Sequence, residues 1–211
     1  ATAFEPAIAP PVVGAGPLLW FGLFERFETT ADIAARLPDP AGAWNSPPRP
    51  LVDRADYEKR LAEVIALIRA GDLYQANLTF PAELRVEGDP LALYARLRAA
   101  SAAGYGAVIA TGAETLLSLS PELFFALERG QLTVRPMKGT ARRHRDPAAD
   151  RAAAAMLAAD PKQRAENLMI VDLMRNDLSR VAVAGSVAVP ALFTVESYPT
   201  VHQMVSTVTA D

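Results

Sequence analysis

The sequence contains no cysteine. This absence excludes disulfide bonds, thiolate nucleophiles and zinc sites built from thiolates, and it is compatible with a reducing cytoplasm. Histidine is also scarce, since the 211 residues include two. An excess of positive charge is missing as well, because the net charge is −3 at pH 7. The charge therefore gives no reason to expect nucleic acid or an anionic membrane surface as the main partner.

The chain also lacks a long uninterrupted apolar segment. Its most apolar stretch, PAIAPPVVGAGPLLWFGLF over residues 6–24, is broken by four prolines and three glycines and lacks a basic leading region. Neither a membrane span nor a signal peptide is predicted. We expect a loop leading into a buried strand at residues 18–24. The whole chain is 51% apolar and 21% charged, which is the composition of a globular protein with a core.

Proline and aspartate mark the boundaries of the predicted elements. Residues 37–52 are proline-rich and are predicted to be an irregular connector, so that residues 1–52 form an N-terminal region and 53–211 one domain. Asp53 or Asp56 can cap the first predicted helix, and an aspartate followed by proline opens two others, at 89–90 and 160–161. The predicted helices are 53–71, 89–100, 147–159 and one that opens at 160–161. The predicted strands are 73–80, 106–112, 115–120, 123–128, 131–135, 181–190, 192–198 and 201–210. Hairpins grouped between helices indicate the α+β class.

Glu166 is a candidate cation ligand because it shares a predicted helical stripe with Ile170, Leu173 and Asp177. A carboxylate on an apolar stripe is costly unless it is paired or bound to a metal ion. The alternative is a glutamate near the helix start that interacts with the helix dipole. Asp177 is eleven residues further on, about 16 Å along the axis at ~1.5 Å per residue, so it cannot share a metal ion with Glu166.

Three other residues have both a structural and a functional interpretation. His202 shares one face of a predicted strand with Met204, Ser206 and Val208, where a satisfied core histidine is the simpler alternative. Glu122 follows Ser-Pro at the end of a hairpin and could be a turn residue. Lys138 is placed in a loop after a hairpin, and PMKGT lacks the glycine-rich run of a phosphate-binding loop. The residues alone thus predict an α+β domain with a candidate cation site.

Five segments, in order along the chain, carry a family resemblance: GDLYQANLT, SPELFF, RPMKGTARR, AENLMIVDLMRNDLSRV and VESYPTVHQMVSTV. The sequence resembles the chorismate-utilising enzymes. The resemblance implies two orthogonally packed β-sheets flanked by helices, Mg²⁺ as cofactor and chorismate as substrate. It implies that Lys138 is a nucleophile and that Glu122 is a general acid. It further implies that Glu166 is a metal ligand, while Thr140 and His202 contact substrate.

Lys138 also bears on the branch of the family. The resemblance to members with lysine in the P-x-K-G-T motif implies an aminodeoxychorismate synthase component I, which receives ammonia from a glutamine amidotransferase. The alternatives are anthranilate synthase, which usually carries alanine there, and the isochorismate and salicylate synthases, which use water. A non-catalytic chorismate-binding fragment is the alternative from a different class.

Family members continue beyond the VHQMVSTV segment. The resemblance implies that this continuation holds a GAP-containing segment, a second metal-binding glutamate, and a tyrosine and an arginine that bind the enolpyruvyl carboxylate. We therefore expect this chain to be part of a longer polypeptide, with an incomplete fold and half of the active site. The fragment alone is expected to be inactive.

Overall fold

The computed structural model describes residues 21–28 and 33–211. The chain divides into two units, Ala1–Ala35 and Arg36–Asp211. In the first unit, residues 21–24 are not in a strand, and Phe21, Leu23 and Phe24 are 81%, 99% and 79% exposed. The prediction of a buried strand over residues 18–24 is therefore wrong for 21–24, while residues 18–20 lie outside the described residues. In the part of the chain that the structure describes, no helix is long and apolar enough to cross a membrane.

Each of the four long helices starts directly after an aspartate whose side chain accepts a hydrogen bond from a backbone amide of the first turn. Proline occupies the first position of three of them, where its missing N–H costs nothing. The first helix ends at Gly71, which takes the left-handed conformation at φ 84°. The predicted helices are confirmed. They are α1 (Arg54–Ala70), α2 (Pro90–Ser101), α3 (Pro147–Ala159) and α4 (Pro161–Ser179), and short 3-10 helices cover Ala34–Arg36 and Pro40–Gly42.

Eleven strands lie in the described residues. They are β1 (Ala43–Asn45), β2 (Arg49–Pro50), β3 (Ala82–Glu83), β4 (Val86–Gly88), β5 (Tyr105–Ala110), β6 (Thr115–Ser120), β7 (Leu123–Glu128), β8 (Gln131–Arg135), β9 (Met137–Arg142), β10 (Ala188–Ser197) and β11 (Val201–Ala210). The predicted hairpins β5–β6 and β7–β8 are confirmed. The β7–β8 connection is Arg129–Gly130, and both residues have positive φ, as a tight hairpin turn requires.

Two predicted strands are wrong in whole or in part. Residues 73–80 form no strand, and Tyr74 is 81% exposed. Strand composition does not produce a strand where no neighbouring strand pairs with the segment. The stretch predicted as a strand over 181–190 forms turns until Ala188, where β10 begins.

The proline-rich residues 37–52 are more ordered than predicted. Strand β1 pairs with β4, and β2 pairs with β3. Ala43 is buried in a small apolar cluster with Ala92 and Leu93 of α2. The pairings join the segment to β3 and β4, and Ala43 packs on α2, so residues 43–45 and 49–50 are strands within the predicted irregular connector. The predicted domain boundary after residue 52 stays a prediction.

The principal sheet has five antiparallel strands in the order β10–β11–β8–β7, with β9 also pairing β11. Strands β8 and β9 follow one another along the same edge of β11, on either side of Pro136. Helices α3 and α4 pack on this sheet. The main apolar core joins α4 to β8 and β11, through Val134, Val171, Leu178, Val208 and Ala210. The α+β class is confirmed, and the orthogonal packing of two sheets stays a prediction.

The face of α4 that packs on the sheet is shifted by one residue along the sequence from the predicted stripe, so that it begins at Asn167 and not at Glu166. Its buried residues are Asn167, Val171 and Leu178, with Met174 partly buried between them. The predicted stripe through Glu166, Ile170, Leu173 and Asp177 faces outward in part, since Leu173 is 49% exposed and Asp177 is exposed. Glu166 therefore does not lie on the buried face of the helix.

Candidate functional site

Lys138 lies at an irregularity in strand β9, not in a loop as predicted. Met137 is paired with Val205, and Thr140 with Gln203, so three steps on β9 correspond to two on β11. Lys138 and Gly139 together oppose Met204, which defines a β-bulge. We call residues 138–139 the β9 bulge. A bulge bends a strand and can redirect a side chain, and Lys138 lies within this one.

Gly139 is required by the backbone of the β9 bulge. Its φ is +106°, a conformation that residues with a Cβ rarely adopt. A Cβ at this position would lie 3.1 Å from the Cβ of Met204 and 3.3 Å from Oε1 of Gln163. The close approach of β9 to both β11 and α4 therefore depends on glycine. Lys138 itself is half-buried.

Glu122 reaches the strand that carries Lys138. Its backbone lies in a local turn in which the Ser120 hydroxyl donates to the Glu122 carbonyl and accepts from the Glu122 amide. Its carboxylate Oε1 accepts a hydrogen bond from the Met137 amide at 3.0 Å. Glu122 and Pro136 also line a cavity of about 310 Å³. Glu122 is thus a turn residue whose side chain ends beside the β9 bulge, and its general-acid role stays a prediction.

Glu166 offers one carboxylate on the partly exposed side of α4. Its Oε1 lies 3.6 Å from Nζ of Lys162, and its side chain is 38% exposed. No group of three or more histidine, cysteine, aspartate or glutamate residues that could hold a metal ion occurs among residues 21–28 and 33–211. Mg²⁺ often uses only one or two protein carboxylates and completes its shell with water and substrate oxygens. The partly exposed Glu166 carboxylate is chemically suited to be one of these Mg²⁺ ligands. Mg²⁺ binding stays a prediction.

His202 is buried, and both of its ring nitrogens are hydrogen-bonded to other residues of the protein. It is 2% exposed, with Nε2 at 3.1 Å from Oδ1 of Asp150 and Nδ1 at 2.8 Å from Oγ of Ser197. The pKa of Asp150 is held well below its usual value, chiefly by the Arg143 guanidinium and then by the His144 amide. An ionised Asp150 accepts from Nε2–H, which leaves Nδ1 to accept from the Ser197 hydroxyl.

This geometry agrees with the alternative that His202 is a satisfied core residue. Both ring nitrogens already have partners in α3 and β10, so neither is free for a substrate in this arrangement. The substrate-binding role implied by the family resemblance stays a prediction. His144, by contrast, is exposed, as expected for the basic ARRHR loop.

Thr140 follows the β9 bulge and faces a different cavity from Glu122. Its hydroxyl donates to Oε1 of Gln203 at 2.9 Å, across the β9–β11 pair. The cavity that Thr140 lines has about 490 Å³ and is bordered by Gln163 of α4 and by Asp160, which caps that helix. The structure therefore places Lys138, Glu122 and Thr140 on or beside one strand, with Glu122 and Thr140 opening onto separate cavities.

Two buried polar residues beside Lys138 were not predicted as site residues. Asn167 and Ser206 have no solvent exposure, and the Asn167 amide donates to the Lys138 carbonyl at 3.1 Å. A signal for Asn167 exists in the sequence, since it lies at helical spacing with Val171, Met174 and Leu178. A polar residue at the head of a buried apolar stripe indicates a specific hydrogen-bond partner.

Comparison with known proteins identifies the family. A model for chorismate binding enzymes matches residues 23–211. The aminodeoxychorismate synthase component 1 of Salmonella typhimurium is 48% identical over 168 residues, which are 80% of this chain and 36% of that protein. Its counterpart in Escherichia coli (strain K12) is 45% identical over 157 residues, 74% of this chain and 35% of that protein. The chain thus spans about a third of the length of these curated relatives.

The fold comparison agrees. The crystal structure of anthranilate synthase component I from Streptococcus pneumoniae superposes with a TM-score of 0.69 at 27% identity, covering 83% of this chain and 40% of that one. The family inferred from the five motifs is therefore confirmed. This chain belongs to the family of chorismate-binding enzymes.

Proposed function

We propose that the full-length protein is an aminodeoxychorismate synthase component I. It would aminate chorismate at C4 with ammonia, giving 4-amino-4-deoxychorismate for the synthesis of 4-aminobenzoate and folate. The observation that carries this proposal is Lys138, held in a β-bulge within a motif that aminodeoxychorismate synthases carry. The similarity to curated proteins of that name supports the same branch.

The proposed reaction has two steps and uses two side chains of this chain. In the first step, the neutral amine of Lys138 forms a bond to C2 of chorismate, and the two conjugated double bonds of the ring shift toward C4. The C4 hydroxyl leaves as water after accepting a proton from Glu122. In the second step, ammonia forms a bond to C4, the two double bonds shift back, and the bond between C2 and Lys138 breaks, so that Lys138 leaves as a neutral amine. The added ammonia releases one proton, which returns to the Glu122 carboxylate.

The position of Glu122 supports this division of roles. Its carboxylate accepts from the amide of Met137, the residue directly before Lys138. An acid and a nucleophile that act on one ring must approach it from neighbouring positions. The hydrogen bond to β9 holds the two groups on adjoining parts of the same structure.

The proposal includes a metal ion and a partner protein. Glu166 would be the ligand from this chain, and Mg²⁺ bound there would supply positive charge to a substrate carboxylate. A second component, a glutamine amidotransferase, would supply ammonia; the component 1 name of the relatives is compatible with such a pair. A reducing cytoplasm is the proposed location, which the absence of cysteine allows.

The proposed function is tested by product analysis of the full-length protein. It is incubated with chorismate, Mg²⁺ and ammonium, with and without an aminodeoxychorismate lyase. We expect 4-aminobenzoate only when the lyase is present. Lys138→Ala is expected to abolish the product, and Lys138→Arg as well, because a guanidinium stays protonated. Lys59→Ala, at an exposed position on α1, is the matched control and is expected to retain activity.

Anthranilate synthase is the second candidate, favoured by the structural similarity to the Streptococcus pneumoniae enzyme. Anthranilate as the sole product would overturn the proposed function and establish this alternative. An isomerised chorismate formed without ammonia would instead indicate the isochorismate branch. Calorimetry that detects no Mg²⁺-dependent chorismate binding by the full-length protein would indicate a non-catalytic domain.

A further inference from the structure

Both N–H groups of the Asn167 side-chain amide donate hydrogen bonds to backbone carbonyls of the sheet on which α4 packs. It has no solvent exposure, and its Nδ2 donates to the carbonyls of Lys138 and Met204, both at 3.1 Å. Its Oδ1 accepts from the Ser206 hydroxyl at 2.5 Å. Asn167 therefore binds one carbonyl from each strand at the β9 bulge, together with a side chain of β11.

The same network extends to an irregularity on the other side of β11. Ala191 is paired with Thr207 and Thr194 with Val205, so β10 also carries an extra residue there. Phe193, within this second bulge, has φ 58° and donates its amide to the Ser206 hydroxyl at 3.1 Å. Ser206 and Asn167 thus link two bulges, one on each neighbour of β11, to helix α4.

The chemistry of the network permits few replacements for Asn167. A bulge removes one residue from the ladder of strand hydrogen bonds, so its carbonyl needs another donor. Two carbonyls require two N–H groups, and the Ser206 hydroxyl requires an acceptor. A primary amide provides all three, whereas an ionised aspartate provides no donor at all. These hydrogen bonds therefore fix the orientation of the Asn167 amide, and the amide in turn fixes the two carbonyls and the Ser206 hydroxyl.

We propose that Asn167 is a positioning residue for the reaction of Lys138. It fixes the carbonyl of Lys138 in the β9 bulge and thereby fixes the direction in which the Lys138 side chain leaves the strand. Ser206 acts through Asn167 by holding its Oδ1. This inference rests on the proposed function in which Lys138 is the nucleophile. It concerns the geometry of that nucleophile and assigns no contact between Asn167 and the substrate.

The first test is kinetic and uses the full-length protein. Asn167→Asp keeps the shape of the side chain but places an oxygen where an N–H donor is required. We expect kcat to fall about 100-fold, the effect of a small misplacement of a reacting group, with the KM for chorismate little changed. Ser206→Ala should give a smaller fall in kcat. Val171→Ala is the matched control, because Val171 is buried one turn further along α4 and belongs to the apolar core.

Val171→Ala should lower stability without lowering kcat, since its side chain takes no part in the network around the β9 bulge. A variant that only loosens the packing of α4 would behave like this control. If Asn167→Asp fails to fold by circular dichroism, Ser206→Ala decides, since it removes a single hydroxyl. A Ser206→Ala protein with the kcat of the wild type would then overturn the inference.

The second test does not depend on the reaction. The modification of Lys138 by an amine-reactive reagent is followed by mass spectrometry of the peptide, without chorismate. We expect its rate to change several-fold in Asn167→Asp and to stay at the wild-type value in Val171→Ala. If the wild type makes no aminodeoxychorismate, the proposed function fails, and the labelling rates still test whether Asn167 positions the Lys138 side chain. If the wild type is active but labelling of Asn167→Asp equals that of the wild type, the positioning role is overturned.

Discussion

Replacing Gly139 with alanine is the most direct test of the β9 bulge. The substitution adds one methyl group at a position with φ +106°. The new Cβ would meet the Cβ of Met204 at 3.1 Å, and Met204 has no solvent exposure. It would also meet Oε1 and Cβ of Gln163 at 3.3 and 3.4 Å. The Gln163 side chain can move aside, but Met204 is held between strands and the helix.

The expected cost has two parts. Holding a residue with a Cβ in such a conformation costs about 1–3 kcal/mol. Forcing a methyl group against a packed core residue costs roughly 1–3 kcal/mol. Because the chain can relax partly in both respects, we expect Gly139→Ala to lower the free energy of unfolding by about 2–4 kcal/mol.

Gly130→Ala is the matched control. Gly130 also has positive φ, at +88°, but a Cβ there would meet nothing within 4 Å. This variant carries the conformational cost alone, roughly 1–2 kcal/mol. Equilibrium urea unfolding of the two full-length variants and the wild type measures the difference. Equal losses for Gly139→Ala and Gly130→Ala would refute the close packing of β9 against Met204.

Two further predictions concern the carboxylates of Glu166 and Asp150. Glu166→Gln in the full-length protein should raise the Mg²⁺ concentration needed for half-maximal activity, while the exposed control Glu63→Gln should not. If Glu166→Gln and the wild type depend equally on Mg²⁺, Glu166 is not a ligand. Asp150→Asn should lower the urea midpoint at neutral pH, because Arg143 depresses the pKa of Asp150 and so stabilises the fold above the usual aspartate pKa of about 3.9. This difference should narrow as the pH falls below about 4, because the Asp150 carboxylate of the unfolded wild-type chain then takes up a proton while that of the folded chain stays ionised. A difference independent of pH from about 7 to 3 would contradict it.

Local signals predicted the helices well. Asp89 and Asp160 each precede a proline, and both act as caps at the start of α2 and α4. A cap and a proline act within one turn of the helix, so their effect can be inferred without knowing the rest of the fold. The same holds for the turn at Arg129–Gly130, where two positive φ values join β7 to β8.

Features that depend on distant partners were predicted poorly. The segment 73–80 has the composition of a strand, but no strand among the described residues pairs with it. On α4, the series through Glu166 and the series through Asn167 have the same helical spacing. The sheet decides between them, because Asn167 has three hydrogen-bond partners there, whereas Glu166 pairs with the neighbouring Lys162 at 3.6 Å. That choice rests on strands that are far away in the sequence.

The bulge itself had a partial signal in the sequence. Glycine within a strand often marks a bulge, and Gly139 follows Lys138 in RPMKGTARR. The sequence alone favours a loop here, since Pro136 separates the segment from the preceding strand. The structure shows that Pro136 separates two strands, which pair in turn with the same neighbour, β11.

Three of the five family motifs meet at this one point of the fold. Lys138 comes from RPMKGTARR, Asn167 from AENLMIVDLMRNDLSRV, and Met204 and Ser206 from VESYPTVHQMVSTV. The Asn167 amide joins them through hydrogen bonds to two carbonyls and one hydroxyl. A shared motif therefore contains residues of two kinds, those with reactive groups and those that hold the backbone beneath them. A comparison of sequences does not distinguish the reactive residues from those that hold the backbone. Only the pairing of strands distinguishes Asn167, which binds the bulge, from its neighbour Glu166, which does not lie on the buried face.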